Sequence, residues 1–270
     1  YMLVLLPMAG ALAVGFITHH FAREAKGHGV PEVMDATYRK GGVIRPRVAV
    51  AKAISSALTI GSGGSAGTEG PIVQIGAAIG SSFGQLLGLK RHHMNTLIAC
   101  GVAGGIAAIF DAPIAGVLFA LEIFLRDFSF KTFSPIVFAS VISASLTHAL
   151  RPGEEGIFEI VSPEHYIFNG SELPFYLVLG VFCAVAAILF VKLLYALEDI
   201  AEKLRIPEAL KPVLGAALLG GLGVLSITWI DTGDVPAFFG NGYPLIREAI
   251  GPGLIDMSLW ALLLLGVLKV

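Results

Sequence analysis

The residues best placed to do chemistry in this sequence lie in one glycine-rich stretch. It runs Gly61-Ser62-Gly63-Gly64-Ser65-Ala66-Gly67-Thr68-Glu69-Gly70-Pro71 and continues Ile72-Val73-Gln74-Ile75-Gly76. Glycine at this density marks backbone that bends tightly or lies close to another group. Pro71 is placed to open a helix in its first turn, where a missing N–H costs nothing. A helix start carries unused N–H donors and a partial positive charge, which together make a seat for an anion. Glu69 stands at that start and is the only ionisable residue between Lys52 and Lys90. Its carboxylate can take the anion's seat and close it with the ligand's own charge. A helix-start glutamate is also favoured simply by the macrodipole. The flanks decide between these readings, because an ionisable residue inside a membrane is a functional candidate by default.

Those flanks are apolar. The chain has 270 residues, of which 55% are hydrophobic and 14% charged, with a mean hydropathy of +0.80. Soluble domains carry about 25% charged residues, so this composition specifies an all-α polytopic membrane protein. With a net charge of −2 and no basic block, nothing points to nucleic acid. Cys100 and Cys183 lie in apolar segments without metal or disulfide spacing, so no metal and no cofactor is expected. The chain begins inside one apolar run (Tyr1 to Ala22) and stops inside another (Ser258 to Val270), and reads as a piece of a longer protein.

Tyr1 to Ala22 is long enough to span a bilayer, and Arg23, Glu24 and Lys26 end it in water. Gly27-His28-Gly29-Val30-Pro31-Glu32 is a second glycine–proline turn, expected to open a short helix reaching about Tyr38. Val48 to Ile60 is apolar, too short to span upright, and contains Lys52. A helix from Pro71 to about Leu89 follows the glycine stretch. Thr96 to Phe110 and Ala112 to Leu125 are split by Asp111-Ala112-Pro113, with Asp111 as the expected N-cap. Pro135 to Leu150 is a further helix, and Arg151 to Pro174 an acidic loop. Phe175 to Leu197, Val213 to Trp229 and Ser258 onward complete the apolar set.

Basic loops (Arg39 to Arg47, Lys90 to His93) fall on one face and the acidic loop on the other, which puts the basic face in the cytoplasm. Short segments interrupted by glycine and proline are tolerated in lipid only where they line a cavity. The pattern is that of an ion pathway. A membrane enzyme built on Ser62, Ser65, the histidines and Asp111 lacks a Gly-x-Ser-x-Gly elbow. A phosphate loop requires Lys-Ser/Thr after its last glycine, where this chain has Thr68-Glu69 before one.

Gly67-Thr68-Glu69-Gly70-Pro71 with Gln74-Ile75-Gly76 resembles the G-[RK]-E-G-P-x-x-Q-I-G motif of the CLC family of voltage-gated chloride channels and chloride/proton antiporters. Gly27 to Glu32 is similar to that family's G-S-G-I-P-E turn. Asp111-Ala112-Pro113-Ile114-Ala115-Gly116-Val117-Leu118-Phe119-Ala120-Leu121-Glu122 is similar to its N-A-P-L-A-G-x-L-F-x-x-E run. The resemblance covers essentially the whole chain. It implies a CLC-type inverted repeat of short, broken and tilted helices, with one pore per subunit. The first repeat would occupy 1–150, an extracytoplasmic linker 151–174, and the start of the second repeat 175–270. A homodimer in the plasma or inner membrane that carries chloride or similar small anions is implied as well. Glu69 would be the gate. Backbone donors around His28, Gly29, Val30 and Pro31 and around Gly70, Pro71 and Ile72 would hold the anion. Lys52 matches a lysine buried in the helix before the gate.

The departures carry information. His28 stands where the family has a serine, and Thr68 where it has a cation. Ile123 stands where proton-coupled members carry a second acid, and Glu122 matches a different glutamate. An isoleucine carries no proton, so the expectation is a channel or a weakly coupled transporter, with a chloride/proton antiporter as the alternative. The family's third motif and its coordinating tyrosine would fall beyond Val270.

Overall fold

A computed structural model describes residues 1–151, 169–230 and 235–250, and every regular element among them is helical. Met2–His20 is α1, and one 3-10 turn, Arg23–Ala25, leads to α2, Val30–Arg39. Arg47–Gly61 is α3, Glu69–Leu86 α4 and Arg91–Phe110 α5. Pro113–Phe119 is α6, which widens into a π-helical stretch, Ala120–Leu125, before α7, Phe130–Leu150. Then come α8, Leu173–Lys203, α9, Lys211–Ile230, and α10, Tyr243–Ile250.

Helices α1, α5, α7, α8 and α9 are long and apolar enough to cross a membrane. Helices α2, α3 and α10 have 10, 15 and 8 residues and fall short of the roughly 20 that a span requires. The chain is therefore a multi-pass membrane protein with broken helices among its spans. None of the residues of α8 is buried.

Small residues let the inner helices touch. Gly76, Gly80 and Gly84 recur every four residues along one face of α4. Gly76 meets Gly101 of α5 backbone to backbone, Gly80 faces the Leu97 carbonyl, and Gly84 faces the Met94 side chain. A Cβ at Gly76 or Gly80 would overlap the facing carbonyl. In lipid, where no hydrophobic force pushes helices together, such close packing does the holding. Ala77, Ala78, Ile98, Val102 and Ala103 seal the contact and are fully buried. The Ser143 hydroxyl donates to the Gly104 carbonyl at 2.7 Å, and that of Ser140 to Pro113 at 2.7 Å, tying α7 to α5 and α6.

Three boundaries differ from expectation. Helix α4 starts at Glu69, with Thr68 as N-cap, so Pro71 is its third residue. Proline is still tolerated there because the first four amides of a helix have no intrahelical acceptor. Asp111 is not the N-cap of α6; Ala112 is. Asp111 ends α5 in a left-handed conformation, φ 52°, which aspartate adopts more readily than most residues. Its carboxylate pairs with His148 Nε2 at 2.7 Å. Helix α7 starts at Phe130, ahead of Pro135, because Asp127 accepts from the amide and hydroxyl of Ser129, each at 3.0 Å, and sets the entering turn. The Ser129 amide and hydroxyl hold the Asp127 carboxyl below the usual carboxylate range. Most of the expected acidic linker (152–168) and the apolar stretch from Ser258 lie outside the described residues.

Candidate functional site

Two glycine turns meet backbone to backbone. Gly29 precedes α2 with φ 102°, and a Cβ on it would overlap the Gly70 backbone; a Cβ on Gly70 would overlap the His28 carbonyl. The starts of α2 and α4 are thereby pressed together. Two positive helix ends at one point favour negative charge.

Not every amide there is free to serve a ligand. Gly29 N–H donates to Glu32 Oε2 at 2.6 Å, the return half of a capping box. Ile72 N–H makes the first intrahelical bond of α4, to the Thr68 carbonyl at 3.0 Å. Pro31 and Pro71 have no N–H. The amides of Glu69 and Gly70 on α4, and of Val30 and Glu32 on α2, are among those the helices do not use.

A cavity of about 650 Å³ opens beside this junction, and His28, Lys52, Ser55, Glu69, Gly70 and Pro71 lie on its wall. His28 is exposed, so its ring is wetted. Gly29, Val30 and Ile72 stand behind the wall; Ile72 packs on the core and against Gly105. Pro31 lies on a second cavity of about 550 Å³, beside Glu24 and Gln74.

Lys52 is buried, and its ammonium donates to the carbonyls of Gly27 at 2.7 Å and Ala25 at 3.1 Å. It does not snorkel. It ties α3 to the turn that carries His28 and makes no ion pair among the described residues. Its charge is left to act on the cavity, where Glu208 is neutralised by Lys26 at 3.7 Å. Ser55, one turn further along α3, is 4% exposed, and its hydroxyl has no partner among the described residues.

The Glu69 carboxylate folds back over Gly67, where any Cβ would collide with it. Its Oε1 accepts from the Tyr243 hydroxyl at 2.6 Å, and that oxygen lies 3.0 Å from Thr68 Oγ1. Thr68 thus faces a hydroxyl, with no cation in the family's place. Neither Tyr243 nor Ser55 was expected from sequence. A signal for Tyr243 exists: Gly240-Asn241-Gly242-Tyr243-Pro244 is a third glycine–proline helix opening. Glu122 and Ile123 sit in the π-helical stretch, Glu122 exposed and Ile123 half-buried against the core. Neither is on the wall of the cavity that holds Glu69.

The comparisons agree on the family. A family model described as voltage gated chloride channel matches residues 10–270. The H(+)/Cl(-) exchange transporter ClcA of Vibrio cholerae is 31% identical over 240 residues, covering 88% of this chain and 50% of that protein. Chloride channel protein CLC-f of Arabidopsis thaliana is 29% identical over 286 residues, 99% of this chain and 34% of that protein. The chain thus spans about half the length of the ClcA relative. Among solved structures, a slow cyanobacterial Cl-/H+ antiporter superposes with a TM-score of 0.81 at 23% identity, covering 99% of this chain and 61% of that one. A CLC-type fluoride/proton antiporter gives 0.77 at 24%, covering 99% and 65%. With the family match running over nearly all its length, this chain belongs to the voltage-gated chloride channel family, the CLC proteins.

Proposed function

We propose that the whole protein moves chloride or a similar small anion across the plasma or inner membrane, in exchange for protons, along a path gated by Glu69. One observation carries this reading: Glu69, at the start of α4, lines one cavity together with Lys52, Gly70 and Pro71. Anion and carboxylate require the same donors, and those serve one of them at a time. Protonation makes Glu69 neutral, weakens its hold on the donors and lets the anion pass. Loss of the proton to the opposite side returns it.

Exchange is favoured over the channel that Ile123 suggested. The relatives from Vibrio are named exchange transporters and the cyanobacterial neighbour an antiporter. Ile123 also stands off the cavity, so its inability to carry a proton does not bear on the groups that line it. His28 is on the wall and exposed, which makes it a candidate for the inner step. The reading requires no cofactor beyond the transported anion. It goes with two inverted repeats, 1–150 and 175–270, and with a homodimer in lipid. The exposed apolar side chains Ile114 and Leu118 of α6 and Phe138 and Ile142 of α7 are offered as the subunit contact.

The test is anion efflux from liposomes carrying the full-length protein, measured across external pH. E69Q is expected to pass chloride at every pH, with the acid response lost. An E69Q protein with the wild-type acid response would remove Glu69 from the gate.

A further inference from the structure

A carboxylate that folds back over the loop before its own helix needs something to hold it there, and the partner comes from far along the chain. Tyr243, the first residue of α10, donates its single hydroxyl hydrogen to Glu69 Oε1 at 2.6 Å. At the 3.0 Å contact with Thr68 Oγ1 the threonine must then donate and the phenol oxygen accept. The result is a directed chain, Thr68 to Tyr243 to Glu69, in which each bond polarises the next.

The position of Tyr243 is built, with several ties to the glycine stretch. Ala66 N–H donates to the Gly240 carbonyl at 3.2 Å, docking the α10 turn on that stretch. The Phe239 ring fills the space left by the missing side chains of Gly63 and Gly223, and Phe238 is fully buried. Asn241 Oδ1 accepts from Tyr243 N–H at 3.2 Å and fixes the start of the helix.

We propose that Tyr243 is a latch on Glu69, holding the ionised carboxylate in its resting place and so setting the pH at which anion flux begins. The inference rests on the reading of Glu69 as the gate. A phenol hydrogen bond favours the ionised carboxyl over the neutral one. Protonation of Glu69 therefore weakens the latch at the step that frees the anion's seat. The other titratable groups around that cavity are His19, Arg23, Lys26, His28, Lys52 and Glu208, and α10 adds Arg247. Among the described residues the hydrogen-bond partner of the Glu69 carboxylate is Tyr243.

The experiment is chloride flux against pH in liposomes holding the full-length protein as wild type, Y243F, T68V, E69Q and the E69Q/Y243F double variant, with thermal unfolding of each. Y243F is expected to raise flux at neutral pH and to move the acid midpoint up by about one pH unit. That is the tenfold effect of losing one hydrogen bond to a charged group. T68V should move it the same way by less, and E69Q/Y243F should match E69Q. A Y243F protein of wild-type thermal stability with a wild-type midpoint overturns the latch. So does a Y243F effect of equal size in the E69Q background. If Y243F does not fold, T68V decides, and an unmoved midpoint there overturns the latch. An acid response kept by E69Q would instead sink the gate reading on which the latch rests.

Discussion

Lys52 illustrates how a single charge is kept in an apolar interior. Its ammonium is satisfied by two carbonyls, those of Ala25 and Gly27, and an unpaired buried ammonium would cost several kcal/mol. Lys52→Met removes both bonds and leaves two acceptors that must find water. An unsatisfied buried acceptor costs about 1–3 kcal/mol. We expect a lower unfolding temperature in detergent and weaker anion flux, since the carbonyl of Gly27 belongs to the peptide that positions His28. Unchanged unfolding and flux would show that the lysine does neither job. Glu69 stood out in the sequence as an ionisable group at a glycine-rich helix start, whereas Lys52 and His28 were singled out through their places in family-like motifs. Tyr243 was not, because it lies 174 residues from Glu69 and local spacing cannot say which turn docks on which. Ile123 was given weight by position within a motif, while the geometry turns it to the core.

The helices themselves followed from apolar runs and glycine–proline turns, and their ends followed less well. Asp111 was read as a cap for what comes after it, yet it closes what comes before. Aspartate serves both purposes, and the left-handed backbone of Asp111 at the end of α5 separates them. The start of α7 was drawn at a proline, but the Asp127–Ser129 turn begins the helix earlier. Packing between elements left a plainer mark. The stripe Gly76, Gly80, Gly84 exists because α4 must approach α5 to backbone contact, and the prediction at this level concerns its centre. Gly80→Val would drive a branched side chain into the Leu97 carbonyl. Overpacking of this kind costs about 1–3 kcal/mol, and more where backbone must move. The folded yield in detergent should fall sharply, whereas Gly88→Ala, with nothing within 4 Å of its Cβ, should fall far less despite its φ of 61°. Equal yields from the two variants would show that α4 and α5 are not in close contact.

Among the described residues, the long helix α5 is packed inside while α8 has no buried residue, and the short helix α2 and helix α4 bring their starts together. A span satisfies its own backbone in lipid; a broken helix exposes amides and is tolerated only where something is to be bound. The apolar runs and their glycine–proline interruptions were visible in the sequence, which is why the membrane class could be read before the fold. The direction of coupling could not be, since it depends on which groups share a wetted path. The most direct test of the account imposes a chloride gradient on liposomes containing the full-length protein and follows external pH together with chloride, for wild type and E69Q. Wild type is expected to drive protons uphill as chloride runs down, and E69Q to pass chloride with the pH trace flat. An E69Q protein that still moves protons in step with chloride would contradict the account.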